Sequence, residues 1–513
     1  MESSFIVFFN NKIAISNSTL TVNMKDNAKD WTFASAHTIA TAIVEKRLSA
    51  LEILDHYIGR IESFDEQINA VVVRDFDRAR DRARAADQEI AAGRQCGPLH
   101  GVPMTIKEAF DVEGLPTTWG FDEHRNNIAE RNAVAVQRFS DAGANLLGKT
   151  NVPVALADWQ SFNPIYGTTN NPWDVQRTPG GSSGGSAAAL AAGFTALEAG
   201  SDIGASIRNP AHYCGIYGHK TSFGIATSEG HSLPQWRGSA EVDIAVIGPM
   251  ARSAADLEIA LDVMAGPDAI DGSGWTLNLP RPKAKSLADF KVGIVYSDTQ
   301  AEVDQSVQNS LRELARFLND AGVQVFEERR PDIDSRAAHE TYIALLRSAT
   351  SSGVSESDFE RFKDKADKLN SGADDYASLM YRGVTLSHRE WCFVNEIRHR
   401  SRRAWAEYFE DIDLFLCPAA TTTAFPHNQQ GERWQRMIDV NGQPQPTTTA
   451  LFWAGYSGHV YLPSTVAPVG LSESGLPVGV QIVGPQYHDH CCIRFAQLLE
   501  KEFRAFSPPP ALI

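Results

Sequence analysis

The chain has 513 residues, 43% hydrophobic and 21% charged, which is enough to bury one large core or two to three ordinary ones. A formal net charge of −16 excludes a protein built to hold a nucleic-acid backbone, since such proteins concentrate basic residues on one face. No apolar run approaches the roughly 20 residues of a membrane-crossing helix, and six cysteines without metal-ligand spacing read as free thiols of a reducing compartment, hence a cytoplasmic location.

Residues 1–30 read as a loosely ordered extension. The apolar stretch 5–9 lacks a basic flank and is too short for a secretion signal, and Met24 offers an alternative start. From Trp31 onward a globular pattern begins. Ile39, Ile43, Leu51, Leu54, Ile58 and Ile61 recur at helical spacing, broken where Ser49 and Glu52 form a capping box that starts a second helix. A strand is predicted over 70–73, then a helix over 75–92 whose charges form a solvated face with i,i+4 pairs. Next come a strand over 102–106 that runs into Lys107, a helix over 133–142 and a strand over 145–147. Residues 186–193, Ser-Ala-Ala-Ala-Leu-Ala-Ala-Gly, predict a small-residue helix between two glycine- and serine-rich turns.

Residues 240–250 are mostly apolar, and Ser253 caps a helix that runs to 265. Residues 266–285 read as a surface crossing. Strand 290–296, helix 304–321 and strand 323–326 make a βαβ-like unit. Residues 335–410 look almost wholly helical and are expected to cap a cleft; the arginines of 398–403 read as the solvated side of one of these helices. Strands at 414–416, 460–469 and 478–483 and a closing helix at 491–500 complete an α/β chain.

Three places carry chemistry. Lys107 ends an apolar strand; if buried with few counter-charges it would lose its proton and become a base. Glu108 follows it, but successive strand residues point to opposite faces, so Glu108 need not neutralise the amine. Ser182 and Ser183 sit between glycine pairs, where a serine can relay a proton. Ser206 closes Asp202-Ile-Gly-Ala-Ser, a small-residue turn whose N–H groups can converge on an oxyanion. Each also has an ordinary reading: a lysine reaching for solvent, serines capping a helix, a satisfied hydroxyl in a tight loop. Asp202 and Arg208 straddle the last turn as an ion pair that braces it.

Lys107 in Gly-Val-Pro-x-x-x-Lys, the block Gly-Gly-Ser-Ser-Gly-Gly-Ser from 180 to 186, and Gly-Ser-Asp-Ile-Gly-Ala-Ser-Ile-Arg-x-Pro-Ala from 200 to 211 together resemble the amidase signature family. Thr169-Asn-Asn-Pro-Trp-Asp and Gly475-Leu-Pro-Val-Gly-Val-Gln-Ile-Val-Gly extend the likeness, which runs from about Ser35 to the end. The resemblance implies one α/β domain over 31–513, a large twisted mixed β-sheet covered by helices on both faces, with 335–410 as the cap. It also implies Ser206 as nucleophile, Ser182 as proton relay after a cis peptide bond, and Lys107 as base. The N–H groups of Ile203, Gly204, Ala205 and Ser206 would hold the oxyanion, with no metal or organic cofactor. The chain departs from the family pattern at Ala205, where glycine is usual, and at His219 and Lys220, to which a structural role is given.

Asp158, Trp159, Gln160 and Ser161, with the aromatics of 341–410, are expected to line an apolar pocket. That favours aryl or alkyl amides, anilides and carbamates as small-molecule substrates. Two rivals stand beside this reading. Gly-Gly-Ser182-Ser-Gly also matches the nucleophile elbow of α/β hydrolases, which would need His488 or His490. Some family members are the amide-splitting component of a tRNA-linked amidotransferase and need a partner. A homodimer is common in the family, though no residue here demonstrates one.

Overall fold

The computed structural model describes residues 31–234, 240–370 and 372–513; the predicted extension 1–30 lies outside the described residues. Eleven strands, labelled here in chain order, form one mixed sheet. They are β1 (Val71–Arg74), β2 (Pro103–Lys107), β3 (Asn145–Thr150), β4 (Leu197–Asp202), β5 (Tyr217–Lys220), β6 (Val246–Ala251), β7 (Lys291–Ile294), β8 (Gln324–Glu327), β9 (Leu414–Pro418), β10 (Ser464–Leu471) and β11 (Pro477–Val483). Their spatial order is β1-β3-β2-β4-β6-β5-β10-β11-β9-β7-β8. Strands β3, β2 and β4 run parallel, as do β9, β7 and β8, and the remaining neighbours pair antiparallel. Every residue of β2, β3, β4 and β6 is buried, so helices cover the sheet on both faces there.

Local sequence accounts for most boundaries. Ser49 and Glu52 form the predicted capping box, with Glu52 N–H donating to Ser49 Oγ at 3.0 Å and Ser49 N–H to Glu52 Oε2 at 2.9 Å. Ser253 caps the helix Ala254–Met264 by accepting from Asp256 N–H at 3.1 Å. In the charged helix Phe76–Ala91 only Ala79 and Ala83 are buried, and its pairs fall at i,i+3, not the expected i,i+4: Arg80 with Asp77, and Arg84 with Asp81. The segment 335–410 is helical as predicted, in four pieces: Ser335–Ala349, Glu356–Asp367, Tyr376–Val384 and His388–Asp411.

The strand expected at 460–469 begins only at Ser464, because Tyr461 takes φ +69° and its N–H closes a turn on Gly458. Conversely, β4, β5 and the helices Arg208–Cys214 and Leu451–Gly458 have no counterpart among the predicted elements. Leu-Glu-Ala-Gly-Ser-Asp in β4 is buried throughout, so no polar alternation marks it as a strand.

All six cysteines are free. Cys214, Cys417 and Cys492 are buried, whereas Cys392 is exposed on the helix His388–Asp411. Among the described residues no helix is long and apolar enough to cross a membrane.

Candidate active site

Parallel neighbours β2 and β4 end on the same edge of the sheet, and their last residues are Lys107 and Asp202. The carboxyl ends of parallel strands are where open α/β sheets place ligands. Lys107 is wholly enclosed, and its Nζ lies 2.7 Å from Ser182 Oγ, 2.9 Å from Ser201 Oγ and 3.5 Å from Ser201 O. Burial pushes the amine from 10.5 down to about 7, against the opposing pull of Asp202 and Glu198. Glu198 exerts little of that pull when neutral, and its own burial raises its carboxyl to about 8. Glu108 faces away from Lys107, as strand alternation requires. It accepts from Thr118 N–H and Oγ1 at 2.7 Å each and from Trp119 N–H at 3.0 Å.

The serine block is shaped by close approach. A Cβ at Gly181 would stand 2.4 Å from Asp158 O, and one at Gly185 2.3 Å from Asn151 N, so neither position tolerates a side chain. The Gly181–Ser182 peptide is cis. The helix Gly184–Ala191 that follows is buried along its whole length. Ser183 occupies its N-cap position but makes no capping bond; its Oγ donates to Ser201 O at 3.4 Å, while its N–H donates to Ser206 O at 3.0 Å. That last bond ties the two serine turns together.

The Ser206 turn is organised by Asp202. Its carboxylate accepts from the N–H groups of Ala205 (2.9 Å), Ile207 (3.1 Å) and Arg208 (3.3 Å) and from the Arg208 guanidinium at 2.8 and 3.0 Å. Burial alone would raise this carboxyl, but Arg208 and the N–H donors hold it below the usual carboxylate range. The expected brace is therefore present, and both partners are fully enclosed.

The same geometry corrects the oxyanion assignment. Ala205 N–H is taken by Asp202, whereas among the described residues the N–H groups of Ile203, Gly204 and Ser206 have no acceptor in the protein. Ala205 sits at φ +68°, a left-handed conformation that explains why glycine suits this position. Two side chains fix the turn from outside: Trp159 Nε1 donates to Gly204 O at 2.7 Å and Tyr342 Oη to Ile203 O at 2.9 Å.

Ser182 and Ser206 open onto one cavity of about 600 Å³, whose walls include Trp119, Leu156, Trp159, Leu346, Phe362 and Met380. A second cavity of about 760 Å³, bordered by Arg330, His339, Trp405 and Tyr456, contains neither serine. Of the four residues expected to contact substrate, Asp158, Trp159 and Gln160 line the first cavity and Ser161 does not. Their polar ends are already engaged. Asp158 accepts from Arg436 at 2.5 Å; Gln160 donates to Asn428 O at 2.7 Å and accepts from Asn428 N–H at 2.9 Å. Ser161 Oγ donates to Gly180 O and accepts from Gly184 N–H, each at 3.1 Å, so it braces the serine block.

His231 also lines the cavity, close to Phe110 and Trp119, with an enclosed Nε2 that has no partner among the described residues. Nothing in its Gly-His-Ser surroundings marks it in the sequence. The histidines required by an elbow, His488 and His490, are absent from the cavity lining, and His490 instead meets Asp262 at 3.2 Å. His219 is held between Thr465 Oγ1 (2.8 Å) and Asp489 (3.0 Å), and Lys220 Nζ donates to Leu462 O (2.8 Å). Both are buried ties between the Tyr217–Lys220 strand and later elements. Among the described residues, no group of three or more His, Cys, Asp or Glu could hold a metal.

The site is thus a buried lysine and two serine turns at one edge of a mixed α/β sheet. The chain belongs to the amidase family, whose model, described as Amidase, matches residues 52–493. It is 31% identical over 486 residues to the indoleacetamide hydrolase of Bradyrhizobium diazoefficiens, covering 92% of this chain and 86% of that protein. It is also 31% identical over 480 residues to a glutamyl-tRNA(Gln) amidotransferase component from Methylobacillus flagellatus, covering 89% and 94%. Among solved structures, a bacterial aryl acylamidase of the amidase signature family superposes with a TM-score of 0.78 at 23% identity, covering 93% of this chain and 97% of that one. That likeness establishes a shared fold.

Proposed function

We propose that this amidase-family protein hydrolyses the C–N bond of small amides, anilides or carbamates through an acyl-enzyme on Ser206. Neutral Lys107 takes the Ser182 proton as Ser182 takes that of Ser206, and Ser206 Oγ attacks the carbonyl carbon. The developing oxyanion is held by the N–H groups of Ile203, Gly204 and Ser206. Ser182 returns a proton to the departing nitrogen, the C–N bond breaks, and water attacks the acyl-enzyme by the same relay to release the acid and free Ser206. In this reading residues 31–513 act as one domain and 335–410 cap the cleft; Leu346 and Tyr376 on its walls and the Tyr342 bond to Ile203 support that.

One observation carries the reading: a lysine amine held near pH 7 by burial, 2.7 Å from the hydroxyl of Ser182. The apolar wall around it favours aryl and alkyl substrates. The test is release of 4-nitroaniline from a panel of anilides and carbamates by wild type and Ser206→Ala. The expected loss is on the order of 10⁶-fold in kcat, the scale of removing a serine nucleophile while the oxyanion N–H groups remain. Unchanged turnover would remove Ser206 from the mechanism and return Ser182 as nucleophile.

A second reading has one observation behind it, the Methylobacillus relative named as part of an amidotransferase. It requires a chain that is inert on the whole panel alone and releases ammonia from glutamine only with a partner.

A further inference from the structure

Arg347 projects from the helix Ser335–Ala349 into the cavity that holds Ser182 and Ser206. It is 8% exposed, yet among the described residues no carboxylate forms an ion pair with it. Its Nη2 donates to Tyr376 Oη, and its Nε is enclosed with no acceptor among the described residues. A guanidinium offers five N–H donors in a planar fork, so most of this group is unsatisfied by the protein. Arg433 lines the same cavity, donates to Ala157 O, and also has no carboxylate partner among the described residues. Burial and the nearby Arg433 charge together bring Arg347 down to about 10, the direction expected when no anion faces it.

Among the described residues no acidic group of the cavity forms an ion pair with these cations, although Asp158 lies near enough to feel the Arg433 charge. Asp158 is paired with Arg436. Asp243 accepts both Arg398 Nη1 bonds, at 2.8 and 2.9 Å, and Tyr461 Oη at 2.7 Å. Glu241, which also lines the cavity, accepts from the Ser228 N–H. The cavity therefore has an apolar wall, a nucleophile turn, and one cationic corner lacking its counter-charge. Proteins pair buried charges, and an unpaired planar donor fork in a ligand cavity is shaped for an oxygen anion.

Building on the function proposed above, we propose that Arg347, with Arg433 beside it, is a subsite for a carboxylate carried by the substrate, and that the favoured substrates are amides or anilides bearing an acid group away from the scissile bond. The bond that breaks and the residues that break it are unchanged; the guanidinium fixes which end of the molecule enters.

Two matched pairs of substrates test this and locate the acid. Glutaryl 4-nitroanilide against pentanoyl 4-nitroanilide places the carboxylate on the acyl half. Acetamidobenzoate against its methyl ester places it on the amine half. For wild type, kcat/KM should favour the acid member of one pair by ~10-fold or more, chiefly through KM. Arg347→Gln should collapse that ratio, and Arg347→Lys should restore part of it. Equal or inverted preference in both pairs with wild type would overturn the proposal, and this arm needs no variant to fold. A ratio unchanged in soluble Arg347→Gln would overturn it equally. Hydrolysis of none of the four compounds, or hydrolysis that survives Ser206→Ala, would instead overturn the function on which the subsite rests.

Discussion

Lys107 makes the catalytic reading answerable by pH alone. Its amine titrates at about 7 in the folded protein, against 10.5 for a free lysine side chain. About half of it is neutral at pH 7 and about a tenth at pH 6. The logarithm of kcat/KM should therefore fall with unit slope below pH 7 and level off above about pH 8, since this profile reports the free enzyme's base. Stability follows from the same shift. Between 7 and 10.5 the unfolded chain holds a proton that the folded one has lost, so this residue makes stability rise with pH through that window. The full penalty is present below pH 7 and amounts to roughly 5 kcal/mol, at about 1.4 kcal/mol per pH unit. Lys107→Met abolishes both effects. Its bonds to Ser182 and Ser201 are lost at every pH, worth ~1 kcal/mol each, whereas the relief of buried charge is largest in acid.

The informative quantity is thus the difference in unfolding free energy between Lys107→Met and wild type, from denaturant titrations at pH 6 and pH 9. It should shrink by ~3 kcal/mol between the two. Glu198, Lys149 and Lys220, which burial also shifts to between about 7 and 8, are present in both proteins, so their direct contributions largely cancel in the difference. An acidic limb lying above pH 9, or a difference independent of pH, would refute the neutral amine and with it the proton relay.

Three further substitutions probe the Ser206 turn. Ala205→Gly relieves a methyl at φ +68° and should raise stability by a net ~0.5 kcal/mol; a lower melting midpoint would show that the conformation carries no strain. Asp202→Asn leaves Arg208 buried without its counter-charge and should cost ~3–5 kcal/mol in denaturant unfolding, a loss below 1 kcal/mol being incompatible with the brace. Trp159→Phe removes the donor to Gly204 O and should lower kcat more than it changes KM; the reverse split would make Trp159 only a wall of the cavity.

What was legible in the sequence was what lies close along the chain or is enforced by backbone contact. The capping box of Ser49 and Glu52 spans three residues, and the Asp202–Arg208 brace six. Two glycines of the serine block, Gly181 and Gly185, are readable because their Cβ atoms would overlap backbone at 2.3–2.4 Å, so no other residue fits. Lys107 stood out because a charge at the end of an apolar strand has few explanations. The strands β4 and β5 were not legible, since Leu-Glu-Ala-Gly-Ser-Asp and Tyr-Gly-His-Lys are buried throughout yet lack the apolar run that such burial normally writes into a strand. The four N–H donors expected around Ser206 were those the family resemblance implies. Composition could not reveal that one of them faces Asp202 and not the cavity, because that depends on Ala205 being left-handed.

The substrate wall was illegible for a further reason. Its residues come from segments near 119, 158, 203, 231, 243, 347, 380 and 433, far apart along the chain. Asp243 finds Arg398 across 155 positions, and Gln160 finds Asn428 across 268. Read in sequence, Asp158 and Gln160 look free for a ligand, and Arg347 looks like one more basic residue near the end of a helix. Folding reverses both impressions: the polar ends of Asp158 and Gln160 are consumed by Arg436 and Asn428, while Arg347 is left with a donor fork the protein does not satisfy. A charge's availability to substrate is set by which partners topology brings to it.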